Sequence, residues 1–265
     1  MKDLVSIIIP LHNNEDTIGE TMESIISQSY PHWEMIIVDD ASTDRSQEIV
    51  RDFMQKDSRI QLTCLAENRG AGEARNIAIE KAGGRYIAFC DADDCWLPTK
   101  LEKQLEFIKT GGYPFTFTSY HTRNNHGKIN GTVNCPRKVN RWNILVNNNI
   151  KTLTAVYDTR ITGKCFMPSY RRSQDWCLWI DLINRFGQAH GLQIPLAVYR
   201  QRKYSLSYNK LKRFKANFTV YNKFCGFNAV ASFAMLSGVF LPYYFYKKIK
   251  QKISSFIRKG RHFDE

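Results

Sequence analysis

The strongest constraint on this chain is an alternation. Four short strand-like runs, Val5–Pro10, Met35–Val38, Ile60–Leu65 and Tyr86–Cys90, are each followed by a segment of helical periodicity. Apolar strands without polar alternation are buried on both faces, and helical crossovers between them imply a mostly parallel sheet covered on both sides. Ligands of such sheets bind at the carboxyl ends of the strands, near the point where strand order reverses. Two runs end in acids: Asp39-Asp40 closes the second, and Asp91-Ala-Asp93-Asp94 closes the fourth.

The helical segments carry their own signals. Thr17-x-x-Glu20 has the form of a capping box ahead of Ile18, Met22, Ile25 and Ile26, which share one face. Ile49, Val50 and Phe53 mark a second helix, and Ala74, Ile77 and Ala78 a third. Pro98 suits the first position of a fourth, with Leu101, Leu105 and Ile108 inward. Beyond residue 110 the pattern changes. Phe115–Tyr120 and Thr152–Tyr157 read as strands flanking a basic, Asn-rich stretch. A helix from Asp175 to Phe186 places Trp176, Trp179, Ile180 and Ile183 on one face, and Leu196–Arg200 reads as a last strand.

Charge divides the chain further. The whole carries +13, but residues 1–181 hold 22 basic and 23 acidic side chains, while residues 182–265 hold 16 basic and 2 acidic. The net of about −1 in the larger part argues against nucleic acid as a partner of the core; +14 in the last third suits an anionic surface. Seven scattered cysteines without a CxxC pair suit a reducing compartment rather than a disulfide framework or zinc site. No secretory signal is read at Val5–Leu11, because His-Asn-Asn-Glu-Asp follows. Cys225–Tyr246 lacks charge and is followed by Lys247, Lys248, Lys250 and Lys252. With Asn228, Ser232, Ser237, Gly238 and Pro242 inside it, the expectation is a segment lying in the interface of an anionic leaflet. A spanning helix and an ordinary buried helix pair are the alternatives.

The acidic clusters point to chemistry. Carboxylates gathered at one sheet end repel one another unless a cation compensates. Oxygen ligands suit Mg²⁺ or Mn²⁺, and Mg²⁺ is usually shared between carboxylates and substrate phosphates. Either pair alone could simply cap a turn; two pairs on strands of one sheet favour a metal–diphosphate site. Gly70-Ala-Gly72 ahead of a helix could bring backbone N–H groups to a phosphate, or could be a plain tight turn. Arg69 and Arg75 flank it and could face phosphates or solvent. Asp175 could be a helix N-cap, a general base, or both. Arg200, Arg202 and Lys203, with Ser205 and Ser207, could bind phosphate or begin the basic surface.

Five motifs in order, Val5-Ser-Ile-Ile-Ile-Pro10, Ile37-Val-Asp-Asp-Ala-Ser-Thr-Asp44, Asn68-Arg-Gly with Ala74-Arg-Asn76, Gly84-Arg-Tyr-Ile-Ala-Phe-Cys-Asp-Ala-Asp-Asp94 and Ser173-Gln-Asp175-Trp, resemble the inverting family-2 glycosyltransferases of GT-A fold, in particular bacterial enzymes of cell-surface polysaccharide and lipopolysaccharide synthesis. The resemblance implies an α/β fold with a Rossmann-like central sheet and a basic, partly apolar helical C-terminal segment. Covering roughly residues 4–205, it implies a nucleotide-sugar donor half (1–110) and an acceptor half with the base (111–205); the charge and apolar pattern adds a membrane-associating segment (206–265). The resemblance implies that Pro10 and His12 border the nucleotide base, where Tyr is usual at the latter position, and that Asp40 accepts a hydrogen bond from a uracil-like base. Gly70 and Arg75 fall on the donor side. Asp91 would contact ribose or metal, and Asp93 would hold Mg²⁺ or Mn²⁺ on the diphosphate with Asp94 assisting. Asp175 matches the catalytic base, with Gln174 where Glu is commoner. Arg200 and Arg202 resemble a loop that closes on the donor. The implied partners are a UDP-sugar, a lipid-linked or polysaccharide acceptor and an anionic membrane, at the cytoplasmic face of the cell membrane.

Two other classes share parts of this pattern. A nucleotidyltransferase usually has a Gly-rich basic loop after its first strand, where this chain has Pro10-Leu-His-Asn-Asn. A non-catalytic scaffold of the same fold has no need of clustered carboxylates.

Overall fold

The computed structural model describes residues 3–124, 127–201 and 210–242, without the side chains of 210–213. The alternation folds as β1 (Val5–Leu11), α1 (Ile18–Ile26), β2 (Trp33–Asp39), α2 (Ser46–Met54), β3 (Ile60–Cys64), α3 (Ala71–Lys81), β4 (Tyr86–Phe89), the short β5 (Cys95–Trp96) and α4 (Lys100–Gly111). The second part adds β6 (Phe115–Arg123), β7 (Ile129–Val133), β8 (Lys138–Asn140), α5 (Arg141–Val146), β9 (Val156–Asp158), α6 (Thr159–Thr162), α7 (Gln174–Phe186) and β10 (Gln188–Arg200). α8 (Lys210–Thr219) and α9 (Ala229–Ala234) follow, each continued by a π-helical stretch, Val220–Phe224 and Met235–Phe240.

One mixed sheet runs in the order β3-β2-β1-β4-β9-β6-β10-β5, with β7 on β6 and β8 on β10. The first four strands pair in parallel, while β9 is antiparallel to both neighbours. The chain steps outward from β1 to β3, then α3 returns it to the far side of β1 as β4. Order therefore reverses beside β1, and the two acidic clusters, at the ends of β2 and β4, flank that point.

Strand periodicity assigns the two faces. Ile8, Ile36, Val38, Ile87 and Phe89 pack with α3, α7 and the C-terminal helices. Ile7, Ile9, Met35, Ile37 and Ala88 pack with α1, α2 and α4. Trp179 of α7 stacks on Phe115 at 5.1 Å and meets Phe89 edge-on at 5.5 Å, tying that helix to β4 and β6.

Three local expectations are corrected. Thr17 and Glu20 form no capping box: the Thr17 hydroxyl donates to the Ala92 carbonyl at 3.0 Å, and Glu20 binds two arginines. Pro98 precedes α4 rather than opening it, and its carbonyl accepts from Ser29 N–H at 2.8 Å. Thr152–Thr154 is a 3₁₀ turn, so β9 begins only at Val156. The described part of the uncharged C-terminal run turns at Gly226 (φ 73°) and continues as α9, with Ser232 and Leu236 buried and its other side chains partly or fully exposed. Val220 and Tyr221, just ahead of it, are also buried, and Tyr221 donates to the Leu145 carbonyl at 2.6 Å. Val230 and Phe233 of α9 remain 79% and 58% exposed. Among the described residues no helix is long and apolar enough to cross a membrane. Lys247, Lys248, Lys250 and Lys252 lie outside the described residues.

Candidate active site

Three loops at the carboxyl end of the sheet build the site, and each is held by a carboxylate. Asp39 caps the loop after β2, accepting from Ser42 N–H at 3.0 Å, from the Ser42 hydroxyl and from Gln47 Nε2 at 2.7 Å. Asp40 is buried and accepts from the backbone N–H groups of Arg69 (2.6 Å) and Gly70 (2.8 Å). It therefore shapes the entry to α3. Gly70 takes φ 90°, a conformation glycine adopts without strain. Arg69 itself turns outward to Glu67.

α3 carries this arrangement to the second acidic cluster. Arg75, one turn into the helix and 8% exposed, pairs with Asp91 at 2.5 Å. Gly72 meets the helix that carries the expected base: a Cβ there would stand 2.9 Å from the Gln174 side chain. The absence of a side chain at Gly72 thus lets the N-termini of α3 and α7 touch. Asn13, Ala41 and Ser173 also hold positive φ values of 50°, 56° and 60°, one in each loop bordering this region. Such backbone strain persists where the surroundings over-determine it, commonly at functional sites.

The Asp91–Asp94 turn is the electrostatic centre. Asp94 is fully buried; one carboxylate oxygen accepts from Arg200 N–H at 2.9 Å, and Oδ2 has no partner. Burial, then the nearby Asp93 and Asp91 charges, push its carboxyl well above the usual carboxylate range. Arg75 Nε is likewise a buried N–H without an acceptor. An orphan acceptor and an orphan donor in one site call for a cation and an anion. Among the described residues no three His, Cys, Asp or Glu side chains gather closely enough to enclose a metal by themselves. Mg²⁺ shared with substrate phosphates needs only one or two carboxylates, so these residues fit a divalent ion carried on a diphosphate.

Arg200 stands differently from its expectation on a closing loop. It is the last residue of β10; its Nε donates to the Asp93 carbonyl at 3.1 Å and its guanidinium to Glu20 at 2.5 Å. Glu20 also binds Arg123, whose guanidinium holds it below the usual carboxylate range despite partial burial. Arg202 lies outside the described residues. Pro10, in β1, and the exposed His12 stand at the end of that strand beside the Asp39 loop.

Asp175 is in the first turn of α7, but the N-cap is Ser173. Its Oδ2 accepts from Asn148 Nδ2 and from the Thr152 hydroxyl, both at 3.3 Å. Among the described residues no hydrogen bond reaches Oδ1. Next to Thr152, Lys151 lays its ammonium over the Tyr199 ring at 4.2 Å. Lys151 is exposed and lines a cleft. Burial opposes its charge, yet charge interactions with Tyr199, Tyr120, Asp175 and Asp94 raise its pKa above the ordinary lysine value. The structure therefore brings Asp40, Gly70, Arg75, Asp91, Asp93, Asp94, Arg200 and Asp175 to one end of one sheet. Lys151, Asn148, Thr152, Arg123 and Glu20 join them without a sequence signal, apart from the Asn147–Asn149 run next to Lys151.

A mostly parallel sheet with carboxylates flanking its switch point, and a carboxylate on a facing helix, defines a nucleotide-sugar-binding transferase of the GT-A class. The chain belongs to the glycosyl transferase family 2, whose pattern it matches over residues 6–177. It is 42% identical over 84% of its length, and 88% of the relative's, to a Bacillus subtilis protein provisionally named the teichuronic acid biosynthesis glycosyltransferase TuaG. It is 37% identical over 79% of its length, and 82% of the relative's, to the Escherichia coli UDP-Glc:α-D-GlcNAc-diphosphoundecaprenol β-1,3-glucosyltransferase WfaP. In fold it matches S. aureus TarS 1–349, solved with UDP-GlcNAc, with TM-score 0.70 and 20% identity over 89% of this chain and 71% of that one. The protein is a glycosyltransferase.

Proposed function

We propose that the protein transfers a hexosyl or N-acetylhexosaminyl group from a UDP-sugar to a hydroxyl of a lipid-linked sugar acceptor, with inversion at the anomeric carbon and dependence on Mg²⁺ or Mn²⁺. The observation that carries this reading is the meeting, at one sheet end, of an unpartnered donor on Arg75, an unpartnered acceptor on Asp94 and the half-bonded carboxylate of Asp175. WfaP and WfgD, both named as UDP-glucose-dependent enzymes acting on a lipid diphosphate-linked GlcNAc, support the donor and acceptor classes. A fold relative solved with GDP-Man and Mn²⁺, at TM-score 0.58, supports a cation with a nucleotide sugar on this architecture.

In this reading Pro10, His12 and Asp40 border the base, and the Gly70 turn and Arg75 lie along the diphosphate. Asp93 and Asp91 hold the divalent ion, which when bound neutralises charge on the departing diphosphate. The acceptor oxygen attacks the anomeric carbon as the bond to the diphosphate breaks, and Asp175 Oδ1 takes the acceptor proton. Asn148 and Thr152 fix the other oxygen, leaving Oδ1 aimed for that proton. UDP leaves, and one displacement inverts the centre without a covalent enzyme intermediate.

The same reading seats the protein on the cytoplasmic face of the membrane through its basic C-terminal third, with Val230 and Phe233 as exposed apolar contacts. Incubation with a panel of nucleotide sugars and Mg²⁺ or Mn²⁺ tests the reaction. Free nucleoside diphosphate from a UDP-sugar is expected, abolished by excess chelator. Release of pyrophosphate instead would favour a nucleotidyltransferase, and full turnover in chelator would remove the metal.

A further inference from the structure

The Asp91–Asp94 turn is held by β10 and by α1. At its exit, Cys95 and Trp96 pair antiparallel with Val198 and Ala197, so the end of β10 lies directly against the turn. Within the turn, two successive carbonyls are bound. The Thr17 hydroxyl donates to the Ala92 carbonyl at 3.0 Å, and Arg200 Nε donates to the Asp93 carbonyl at 3.1 Å. Thr17 is the N-cap residue of α1; Glu20, three residues further on, holds the Arg200 guanidinium at 2.5 Å. The two residues whose spacing suggested a capping box therefore both serve the acidic turn, one directly and one through an arginine.

The Glu20 pairing differs from an ordinary surface ion pair. Arg123 and Arg200 are register partners on the neighbouring strands β6 and β10. Like charges set opposite one another across strands repel, and these side chains are only 13% and 18% exposed, so water screens them little. Glu20 answers both. Its Oε1 accepts from Arg123, and its Oε2 accepts from Arg123 at 2.9 Å and from Arg200 at 2.5 Å. Among the described residues neither arginine has another carboxylate partner. Without the Glu20 charge, Arg200 relieves the repulsion by turning to solvent, and the Asp93 carbonyl is released. We propose that Glu20 is a positioning residue for the cation-binding turn: by bridging Arg123 and Arg200 it keeps the Arg200 guanidinium on the Asp93 carbonyl and so fixes where the Asp93 carboxylate meets a divalent ion. The inference rests on the metal reading above and deepens it by naming what sets the turn. Glu20 acts only through Arg200.

The test measures UDP affinity of the full chain by isothermal titration over a series of Mn²⁺ concentrations and in excess chelator. In wild type Mn²⁺ should tighten UDP, and the Mn²⁺ concentration giving half of that gain is the readout. Glu20→Gln keeps size and removes charge. It should raise this concentration about tenfold or more, the loss of one charge-assisted contact, with UDP affinity in chelator within about twofold of wild type. Single-turnover transfer at saturating Mn²⁺ should return to within about threefold of wild type, because no reacting group has been removed. A general loosening of the fold would instead slow transfer at every Mn²⁺ concentration. Glu20→Asp, with the charge on a shorter arm, should recover part of the loss. Arg200→Met should reproduce the shift, and its combination with Glu20→Gln should be no worse than either alone, as for residues acting as a unit. The Glu20 side chain is 46% exposed, so its variants should fold, which a thermal melt checks. An unchanged Mn²⁺ requirement in Glu20→Gln overturns the proposal, as does a double variant whose loss is the sum of the two singles. Wild-type UDP affinity indifferent to Mn²⁺ sinks the metal reading itself; a wild-type Mn²⁺ effect that Glu20→Gln leaves intact sinks this inference alone.

Discussion

The region around β1, β2 and β4 and the region from β6 to α5 handle polar groups in opposite ways. Around β1, β2 and β4 the side chains are bound to one another before any ligand arrives: Asp39 to Ser42 and Gln47, Asp40 to the Gly70 turn, Asp91 to Arg75. Around β6 to α5 they line an open cleft, and Asn134 and Lys138 have no partner among the described residues. A pre-bonded site loses little entropy when it closes on a ligand of fixed chemistry, as every UDP-sugar presents the same diphosphate. An open, amide-lined cleft can change its ligand by one or two substitutions. In the proposed reading, donor machinery and acceptor choice are thereby separated within one sheet.

That contrast can be broken where the donor side is most tightly wired. Arg75→Met leaves Asp91 without its cation; because Asp91 is about a third exposed, the expected loss is moderated to about 2 kcal/mol of stability. UDP-sugar affinity should fall about tenfold or more, since the orphan Nε donor is lost too. Isothermal titration measures the second effect, and unchanged affinity would mean that Arg75 does not face the diphosphate.

A smaller effect sharpens the same contrast. Lys100 is fully buried beneath the acidic turn, with its ammonium 4.1 Å from the Trp96 ring and donating to Gln104 at 2.8 Å. Burial lowers its pKa to about 7, with a small opposing contribution from Cys90. Unfolding returns it to the ordinary lysine value near 10.5. Between these values the unfolded chain binds the extra proton, so this group penalises folding below about pH 7 and the penalty fades as pH rises toward 10. Lys100→Met should flatten the rise in stability across that window, read by urea melts at several pH values. An identical slope in the variant would show that Lys100 stays charged when folded.

Much of the donor half was legible in the sequence because a strand buried on both faces must be continuously apolar, and a parallel sheet fixes where its ends point. The acids at Asp39–Asp40 and Asp91–Asp94 follow from that rule. What they bind did not follow. Glu20 meets Arg123 and Arg200 across 103 and 180 residues of chain, and that pairing diverted it from the capping box its spacing suggested. Thr152–Thr154 has a strand's composition, but the Thr152 hydroxyl is drawn to Asp175 and the backbone closes a 3₁₀ turn on Lys151. Tyr221, just ahead of the uncharged C-terminal run, finds a buried place against α5 and α7 that no local pattern announces. Lys151 and Lys138 look like any other basic residues until the cleft is seen.

The central claim is that Asp175 is the proton acceptor of a site otherwise complete without it. Asp175→Asn keeps size and shape and can still meet Asn148 or Thr152, so the measurement is UDP-sugar affinity alongside single-turnover transfer in the same protein. The expected result is donor affinity within about twofold of wild type, with transfer slowed by about 10²-fold or more. Transfer at the wild-type rate would contradict it.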